Sequence, residues 1–194
     1  TADCEVLIGG IAIDTKTQTN MSERLIAEVL PEPDLSGLVA RVRNGSGVAQ
    51  GNPESPNRFY VFVDPQCGFC SRTFDLYQRM LDNGADLYVN WIVVGTLGPS
   101  SENQASAILA QSENRMLILA SLLNKTQIPG SPDDVATGQV ALARNMELFR
   151  SMGFGGVPAT VQSNYGRVSI STGMPKEEFL TNSLKPPVEN QAAR

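Results

Sequence analysis

The chain has 194 residues, of which 41% are apolar, and its 15 Lys and Arg against 20 Asp and Glu give a formal net charge of -5. This composition suits one ordinary domain with a proper core, and it argues against nucleic acid or an anionic membrane as the main partner, because both need a basic face. The absence of His excludes Ser–His–Asp and Cys–His nucleophile systems and HExxH metal sites, and three Cys are too few for a disulfide scaffold or a four-thiolate zinc site.

The first part of the chain predicts short elements joined by turn sequence. Residues 5–13 predict a strand interrupted by a Gly pair, and residues 22–30 predict a short helix that two Pro residues end. Residues 34–43 predict a second short helix with one apolar stripe. Residues 44–57 are rich in Gly, Ser, Asn and Pro and predict a loop or linker.

The next segment has the strongest periodicity in the chain. The β-branched and aromatic residues 59–63 predict a central strand that is buried on both faces. The apolar spacing after Cys67 predicts a helix from that residue to an Asn-Gly stop at residues 83–84. Residues 87–94 predict a second strand, so the segment predicts a β–turn–α–β unit with two parallel strands.

The remaining residues predict helices followed by a return to strands. Residues 100–152 have helical periodicity, with two helices that Pro129 and Gly130 close and a third that begins at residues 131–134, where Pro and acidic residues favour a helix start. Residues 159–162 and 167–171 predict two strands joined by a turn, and Pro175 opens a last helix. The predicted fold class is therefore α/β with an inserted helical segment.

Cys67 and Cys70 form a Cys-Gly-Phe-Cys motif where a buried strand ends and a helix begins. Unpaired N–H groups and the dipole at a helix N-terminus stabilise a thiolate, and Cys residues there have pKa values of roughly 3.5–7.5 instead of about 8.5. We predict that Cys67 is the exposed nucleophile of thiol–disulfide exchange and that Cys70, on the apolar stripe, is the buried resolving thiol. Gly68 and Phe69 are expected to tune the pair, and because Phe69 offers no donor, thiolate stabilisation is expected to rest on the backbone.

Other interpretations of these residues stay open at this point. The two motif cysteines could be structural or could bind a metal together with another chain. Cys4 could be a small buried residue or one half of an intermolecular disulfide, and Asp64 could assist proton transfer or only form a turn. By sequence alone, Pro158 is expected to follow a trans peptide bond at the start of a strand.

Residues 60–70 and residues 93–110 resemble the thioredoxin superfamily and, within it, the DsbC/DsbG group of bacterial periplasmic disulfide isomerases, with greater similarity to the DsbG type. Residues 156–159 resemble the group's cis-proline loop beside the active site. The resemblance therefore implies a cis bond between Val157 and Pro158 and a loop whose backbone binds an extended substrate strand.

The same resemblance implies the activity, the partners and the location of the protein. It implies a thioredoxin fold and a thiol–disulfide oxidoreductase, a disulfide isomerase or reductase, that needs neither a cofactor nor a metal. Its substrates would be unfolded or misoxidised proteins and peptides, and a membrane-embedded reductase would keep it reduced. No apolar run approaches the ~20 residues that span a bilayer and no signal peptide opens the chain, so we expect a cytosolic protein or one whose targeting segment was removed. The resemblance favours the periplasm.

The resemblance also extends to the N-terminal part of the chain. Residues 1–20 are predicted to be the end of a truncated dimerisation domain, since residues 5–14 resemble its last strand. Residues 21–57 are predicted to form a linker with short helices. Residues 58–194 are predicted to form the thioredoxin-like catalytic domain with a helical insertion at about residues 100–152. A homodimer is expected for the full-length form.

Three differences from the group are present in the sequence, and one of them leaves the direction of electron flow open. The motif has Phe69 where the group usually has Tyr, and Val157 precedes the loop proline where DsbC and DsbG have Thr. The second, structural disulfide of DsbC has no counterpart. Because Val precedes this proline in the oxidase DsbA, a dithiol oxidase is the alternative within this enzyme class. A periplasmic chaperone or peptide-binding module with incidental thiols is the alternative from another class.

Overall fold

The computed structural model describes residues 13–14, 19–20, 37–111, 113, 115–124, 132–177, 180–181 and 184. The chain divides into two compact units, residues 1–34 and residues 35–194. In the first unit, strands β1 (Ile13–Asp14) and β2 (Thr19–Asn20) pair in antiparallel orientation. Apart from residue 13, the predicted strand over residues 5–13 and the predicted helix over residues 22–30 lie outside the described residues, so these assignments and the predicted domain boundaries stay predictions.

The second unit begins with a helix and a strand. The helix was predicted, but the strand lies in a segment that was predicted to be a loop. Helix α1 (Leu38–Arg43) occupies the second half of the predicted helix. Strand β3 (Gly47–Gly51) lies inside the segment that was predicted to be a loop, so that prediction is wrong there. The strand forms because it pairs antiparallel with a neighbouring strand and buries Val48 opposite Trp91. Close packing requires Gly at position 47, because an added Cβ there would stand 2.2 Å from the side-chain oxygen of Asn90.

A five-stranded sheet forms the centre of this unit. Strand β4 (Asn57–Val63) and strand β5 (Tyr88–Val93) are parallel and are joined by helix α2 (Gly68–Asp82), which confirms the predicted β–turn–α–β unit. Strands β6 (Ala159–Asn164) and β7 (Arg167–Thr172) form a hairpin that adds antiparallel to β4. The strand order is β3-β5-β4-β6-β7, so β4 is the middle strand.

Among the described residues, three helices lie between β5 and β6, where the helical insertion was predicted. They are α3 (Pro99–Ala110), α4 (Arg115–Leu123) and α5 (Pro132–Ser151). Helices α3 and α5 approach closely at Gly138, where an added Cβ would stand 1.7 Å from the carbonyl oxygen of Ser106. After β7, the N–H of Leu180 donates to the carbonyl of Lys176, which agrees with the predicted last helix where that helix is described.

Aromatic packing on both faces of the sheet fixes the middle strand. On one face, the ring centroids of Phe59 and Tyr77 lie 5.2 Å apart. On the other face, the ring of Phe62 lies 5.5 Å from those of Phe149 and Phe154. Because the Cys-Gly-Phe-Cys motif follows this strand after a short turn, its position is tied to the packing on both faces of the sheet. No helix among the described residues is long and apolar enough to cross a membrane.

Candidate active site

Cys67 lies at the start of helix α2, as predicted, and its sulfur serves as the helix cap. The residue has extended backbone angles, φ -83° and ψ 114°, and the backbone N–H of Cys70 donates to its Sγ atom over 3.2 Å. Oxygen atoms of Ser, Thr, Asp or Asn usually fill this role, because the first N–H groups of a helix lack partners within it. The N–H of Cys67 donates to the carbonyl oxygen of Asp64 over 3.1 Å, which closes the turn after β4.

Cys67 is more buried than predicted, whereas Cys70 is buried as predicted. Both are free thiols, and Cys70 is fully buried. Cys67 was expected to be exposed, but only 8% of its surface is, because its thiol packs against the loop before β6 and donates to the carbonyl oxygen of Val157 over 3.6 Å. Its remaining surface lines a cavity of about 410 Å³, so a partner group can reach the sulfur from that side.

The pKa values of the two thiols shift in opposite directions because the thiols share one hydrogen bond. The Cys70 thiol donates to the sulfur of Cys67 and lowers the pKa of Cys67 to about 6, with smaller contributions from the backbone N–H groups of Cys70 and Phe69. Burial and the negative charge of Asp64 oppose this shift. The same hydrogen bond, together with burial, raises the pKa of Cys70 far above its ordinary value. The expectation that stabilisation rests on the backbone is therefore corrected, since the largest contribution comes from the neighbouring side chain.

The loop before β6 brings the second predicted element to the site. The peptide bond between Val157 and Pro158 is cis, as the resemblance implied and unlike the trans bond expected from sequence alone. Gly155, Gly156 and Val157 line the cavity that contains Cys67. The side chain of Pro158 is buried, whereas Val157 is partly exposed. The structure thus places this loop, 90 residues away in sequence, directly beside the sulfur of Cys67.

Asp64 is a buried carboxylate for which sequence reasoning found no definite role. Its side chain is fully buried, and its Oδ1 atom accepts the backbone N–H of Gln66 over 2.8 Å. Its Oδ2 atom accepts the backbone N–H groups of Thr96 and Leu97 over 2.7 and 3.1 Å. The hydroxyl of Ser101 in α3 donates to the same oxygen over 2.5 Å. The carboxylate therefore joins the motif turn to the loop after β5 and to the inserted helices.

Gly68 and Phe69, the residues between the two cysteines, lie at the rim of the site. Phe69 is 56% exposed, and the guanidinium of Arg72 lies 4.4 Å from the centroid of its ring. The Nε atom of Arg72 also donates to the carbonyl of Gly68 over 3.4 Å. Phe69 lines both the cavity that contains Cys67 and a second cavity of about 460 Å³. The ring therefore lies between the two cavities at the mouth of the site.

We also searched the described part of the chain for a cluster of metal-ligating side chains. Within those residues, no group of three or more His, Cys, Asp or Glu side chains could hold a metal ion. Cys4 lies outside them. A thiolate that caps a helix, next to a buried second thiol and an open cavity, can attack a disulfide sulfur and then be released by its neighbour.

Comparison with known proteins places this geometry among thiol–disulfide exchange proteins. No protein-family model matches the chain. The thiol:disulfide interchange protein DsbG of Pseudomonas aeruginosa is 25% identical over 195 residues, which cover 96% of this chain and 73% of that protein. DsbG of Escherichia coli is 25% identical over 188 residues, with coverages of 93% and 73%.

A solved structure of another protein has a fold similar to that of this chain. The catalytic domain of ScsC from Proteus mirabilis superposes with a TM-score of 0.61 at 20% identity, covering 77% of this chain and 94% of that one. This similarity confirms the predicted α/β fold of the thioredoxin type.

We predict that Cys70→Ala raises the pKa of Cys67 from about 6 toward the ordinary value of about 8.5, because the hydrogen bond with the largest effect is removed. Titrating the thiolate absorbance of Cys67 against pH measures the change. Cys70→Ser is the matched control, because its hydroxyl can still donate and should keep the pKa of Cys67 nearer 6. A pKa of Cys67 that stays near 6 in both variants would show that the backbone N–H groups carry the stabilisation.

We also predict that Asp64→Asn lowers the stability of the fold by about 3 kcal/mol, since an amide cannot accept all the donors that face a buried carboxylate. The same change lowers the pKa of Cys67 still further, because it removes a negative charge that raises this pKa. Urea unfolding and thiolate titration measure the two effects.

Ser101→Ala is the control for this change. It removes one donor but keeps the charge, so we expect a loss of about 1.5 kcal/mol. A pKa of Cys67 that rose in Asp64→Asn would contradict the assigned role of the charge.

Proposed function

We propose that this chain, a DsbG-like thiol–disulfide oxidoreductase of the thioredoxin superfamily, uses Cys67 and Cys70 as its catalytic pair to reduce or isomerise disulfides of periplasmic proteins. The observation that carries the proposal is the sulfur of Cys67, which caps a helix, has a pKa of about 6 and lines an open cavity. A thiol with a pKa near the surrounding pH combines a large thiolate fraction with good nucleophilicity, and it is also a good leaving group.

The first step is attack by the Cys67 thiolate on one sulfur of a substrate disulfide. A bond forms between the sulfur of Cys67 and that sulfur, the substrate S–S bond breaks, and the second substrate sulfur leaves as a thiolate. In the reductase reaction, Cys70 gives its proton to this departing thiolate and attacks the sulfur of Cys67. The Cys67–Cys70 disulfide forms, the first substrate sulfur leaves, and two electrons have passed to the substrate.

The isomerase reaction has no net electron transfer. The substrate thiolate released in the first step attacks another disulfide of the same substrate, and a later substrate thiolate attacks the mixed disulfide and frees Cys67. The reductase reaction, by contrast, leaves the protein oxidised, so it needs a dithiol donor. A membrane-embedded reductase of the Dsb pathway would supply those electrons, and unfolded or misoxidised proteins would be the substrates.

Val157 and Pro158 are proposed to bind the substrate chain beside the nucleophile. The carbonyl of Val157 lies 3.6 Å from the sulfur of Cys67, so a peptide that pairs with this backbone places its own sulfur next to the thiolate. Gly68 and Phe69 are proposed to tune the pair from the rim. The backbone N–H of Phe69 lowers the pKa of Cys67, and Gly68 lines the cavity that contains the sulfur of Cys67.

A dithiol oxidase is the second candidate function, and two observations favour it. Val157 stands where the DsbC and DsbG proteins have Thr, and the lowered pKa of Cys67 stabilises the dithiol relative to the disulfide, which makes the oxidised protein a stronger oxidant. The two candidates differ in the direction of electron flow and use the same cysteines.

We predict that Cys67→Ser abolishes disulfide reduction and the reshuffling of a scrambled disulfide protein, with a loss of at least 1,000-fold on the order expected for a nucleophile. Cys70→Ser should instead accumulate a mixed disulfide between Cys67 and the substrate, which non-reducing gels and mass spectrometry detect. Cys4→Ser is the matched control and should leave both rates unchanged. Reshuffling by Cys67→Ser as fast as by the parent would refute the proposed function. Anti-aggregation activity that survives loss of both motif cysteines, together with no redox activity in the parent, would favour a chaperone whose thiols are incidental.

The reduction potential separates the isomerase and reductase functions from the oxidase function. An oxidase is expected to lie near -120 mV and an isomerase or reductase about 60 mV or more below that value. Equilibration with glutathione followed by thiol alkylation measures the potential. If the protein is an oxidase, the parent should also oxidise a reduced substrate faster than it reshuffles a scrambled one, and the opposite order supports the isomerase assignment.

A further inference from the structure

A groove away from the motif cysteines lies between the end of helix α1 and the C-terminal part of helix α5. Its volume is about 460 Å³, within the range of roughly 300–1,000 Å³ that is usual for small-molecule sites. Its lining residues recur at spacings of three and four, which places them on one side of each helix. We call it the α1–α5 groove, and it is lined by Arg41 and Asn44 near the end of α1 and by Arg144, Glu147, Leu148 and Ser151 of α5.

The two sides of the α1–α5 groove are held by the core beneath them. Val42, which follows Arg41, is fully buried, and so is nearly all of Phe149, which follows Leu148. Both belong to one apolar cluster, and Leu148 packs against it as well. Across the groove, the guanidinium of Arg41 donates to the hydroxyl of Ser151 over 2.5 Å. A ligand therefore meets a site that is already formed, so it loses less entropy when it binds.

Two positive charges and one negative charge line this groove. The whole chain has a formal net charge of -5, whereas the two Arg and one Glu of the groove, Arg41, Arg144 and Glu147, give it a formal charge of +1. All three side chains are exposed. The side chains of Arg144 and Glu147 form neither a hydrogen bond nor an ion pair with any described residue, and Arg41 binds only the uncharged hydroxyl of Ser151. These charges are therefore accessible to a ligand.

The dipoles of the two helices do not explain the position of Arg144. Cations are favoured in the last turn of a helix, and Arg43 of α1 and Arg150 of α5 occupy such positions without lining the groove. The effect is confined to the last turn, and Arg144 lies before that turn in α5. Its guanidinium therefore has no role in capping the helix, although it faces the groove.

We infer that the α1–α5 groove binds a small molecule with two carboxylates and one ammonium group, the class to which acidic amino acids belong. One carboxylate binds Arg41 and the other binds Arg144, because a guanidinium and a carboxylate form paired, charge-assisted hydrogen bonds. The ammonium group binds the carboxylate of Glu147, and the carbon chain of the ligand lies against Leu148. Such a ligand has one negative charge more than it has positive charges, which complements the charge of the groove.

Isothermal titration calorimetry of the full chain at low salt tests this inference, with free glutamate as the probe. Free glutarate lacks the ammonium group, and free glutamine has an amide in place of one carboxylate. We expect one glutamate to bind per chain, about fivefold more tightly than either analogue, which corresponds to the loss of one charge pair at an exposed site. Added salt should weaken the binding of glutamate, because it screens these charges.

Variants assign the binding to the charges of the groove. Arg144→Gln should bind glutamate about fivefold more weakly and should unfold at the same urea concentration as the parent, because the side chain has no described partner to lose. Glu147→Gln should lose the preference for glutamate over glutarate. Arg150→Gln is the matched control, since it removes the same charge from the same helix but does not line the groove, and it should bind glutamate as the parent does.

Two results would overturn the inference. One is that the parent fails to bind glutamate at millimolar concentrations. The other is that Arg144→Gln and Arg150→Gln lose the same affinity, since a general attraction to positive charge would then be sufficient. Neither motif cysteine lines the groove, so Cys67→Ser should bind glutamate like the parent. A chain that binds glutamate but exchanges no disulfide would refute the proposed function and leave this inference intact.

Discussion

The buried carboxylate of Asp64 is the point at which the sheet, the motif turn and the inserted helices are joined. An isolated charge inside a protein is costly unless hydrogen bonds surround it, and here donors from three segments do so. Two of those segments are more than 30 residues away in sequence. Because the backbone carbonyl of Asp64 also accepts the N–H of Cys67, this residue helps to hold Cys67 at the start of the helix. Its negative charge also raises the pKa of Cys67 and so opposes the hydrogen bond from Cys70, which lowers it.

The sequence predicted those parts of the fold and site that depend on local pattern. The continuous apolar run of β4, the 3.6-residue period of α2 and the position of Cys67 at the helix start follow from neighbours in sequence, and the structure has all three. The helical insertion was also predictable from its periodicity. The cis bond before Pro158 was implied only by resemblance, because an isolated X-Pro dipeptide favours trans.

The features that the sequence did not predict depend on contacts between distant residues. Strand β3 has the composition of a loop, and it becomes a strand only because β5 offers an edge on which Gly47 fits closely. Cys67 is more buried than a helix start implies, because Val157 packs against it from 90 residues away. Thr96 and Leu97 had no motif to mark them, since their hydrogen bonds to Asp64 form only in the folded chain.

The sulfur that caps α2 is also the atom that changes its bonding in the proposed reaction. As a thiolate, it is a strong acceptor for the N–H of Cys70, whereas a sulfur in a disulfide is uncharged and accepts weakly. Breaking the mixed disulfide would restore this strong acceptor, so the hydrogen bond at the start of the helix would itself favour release of the product.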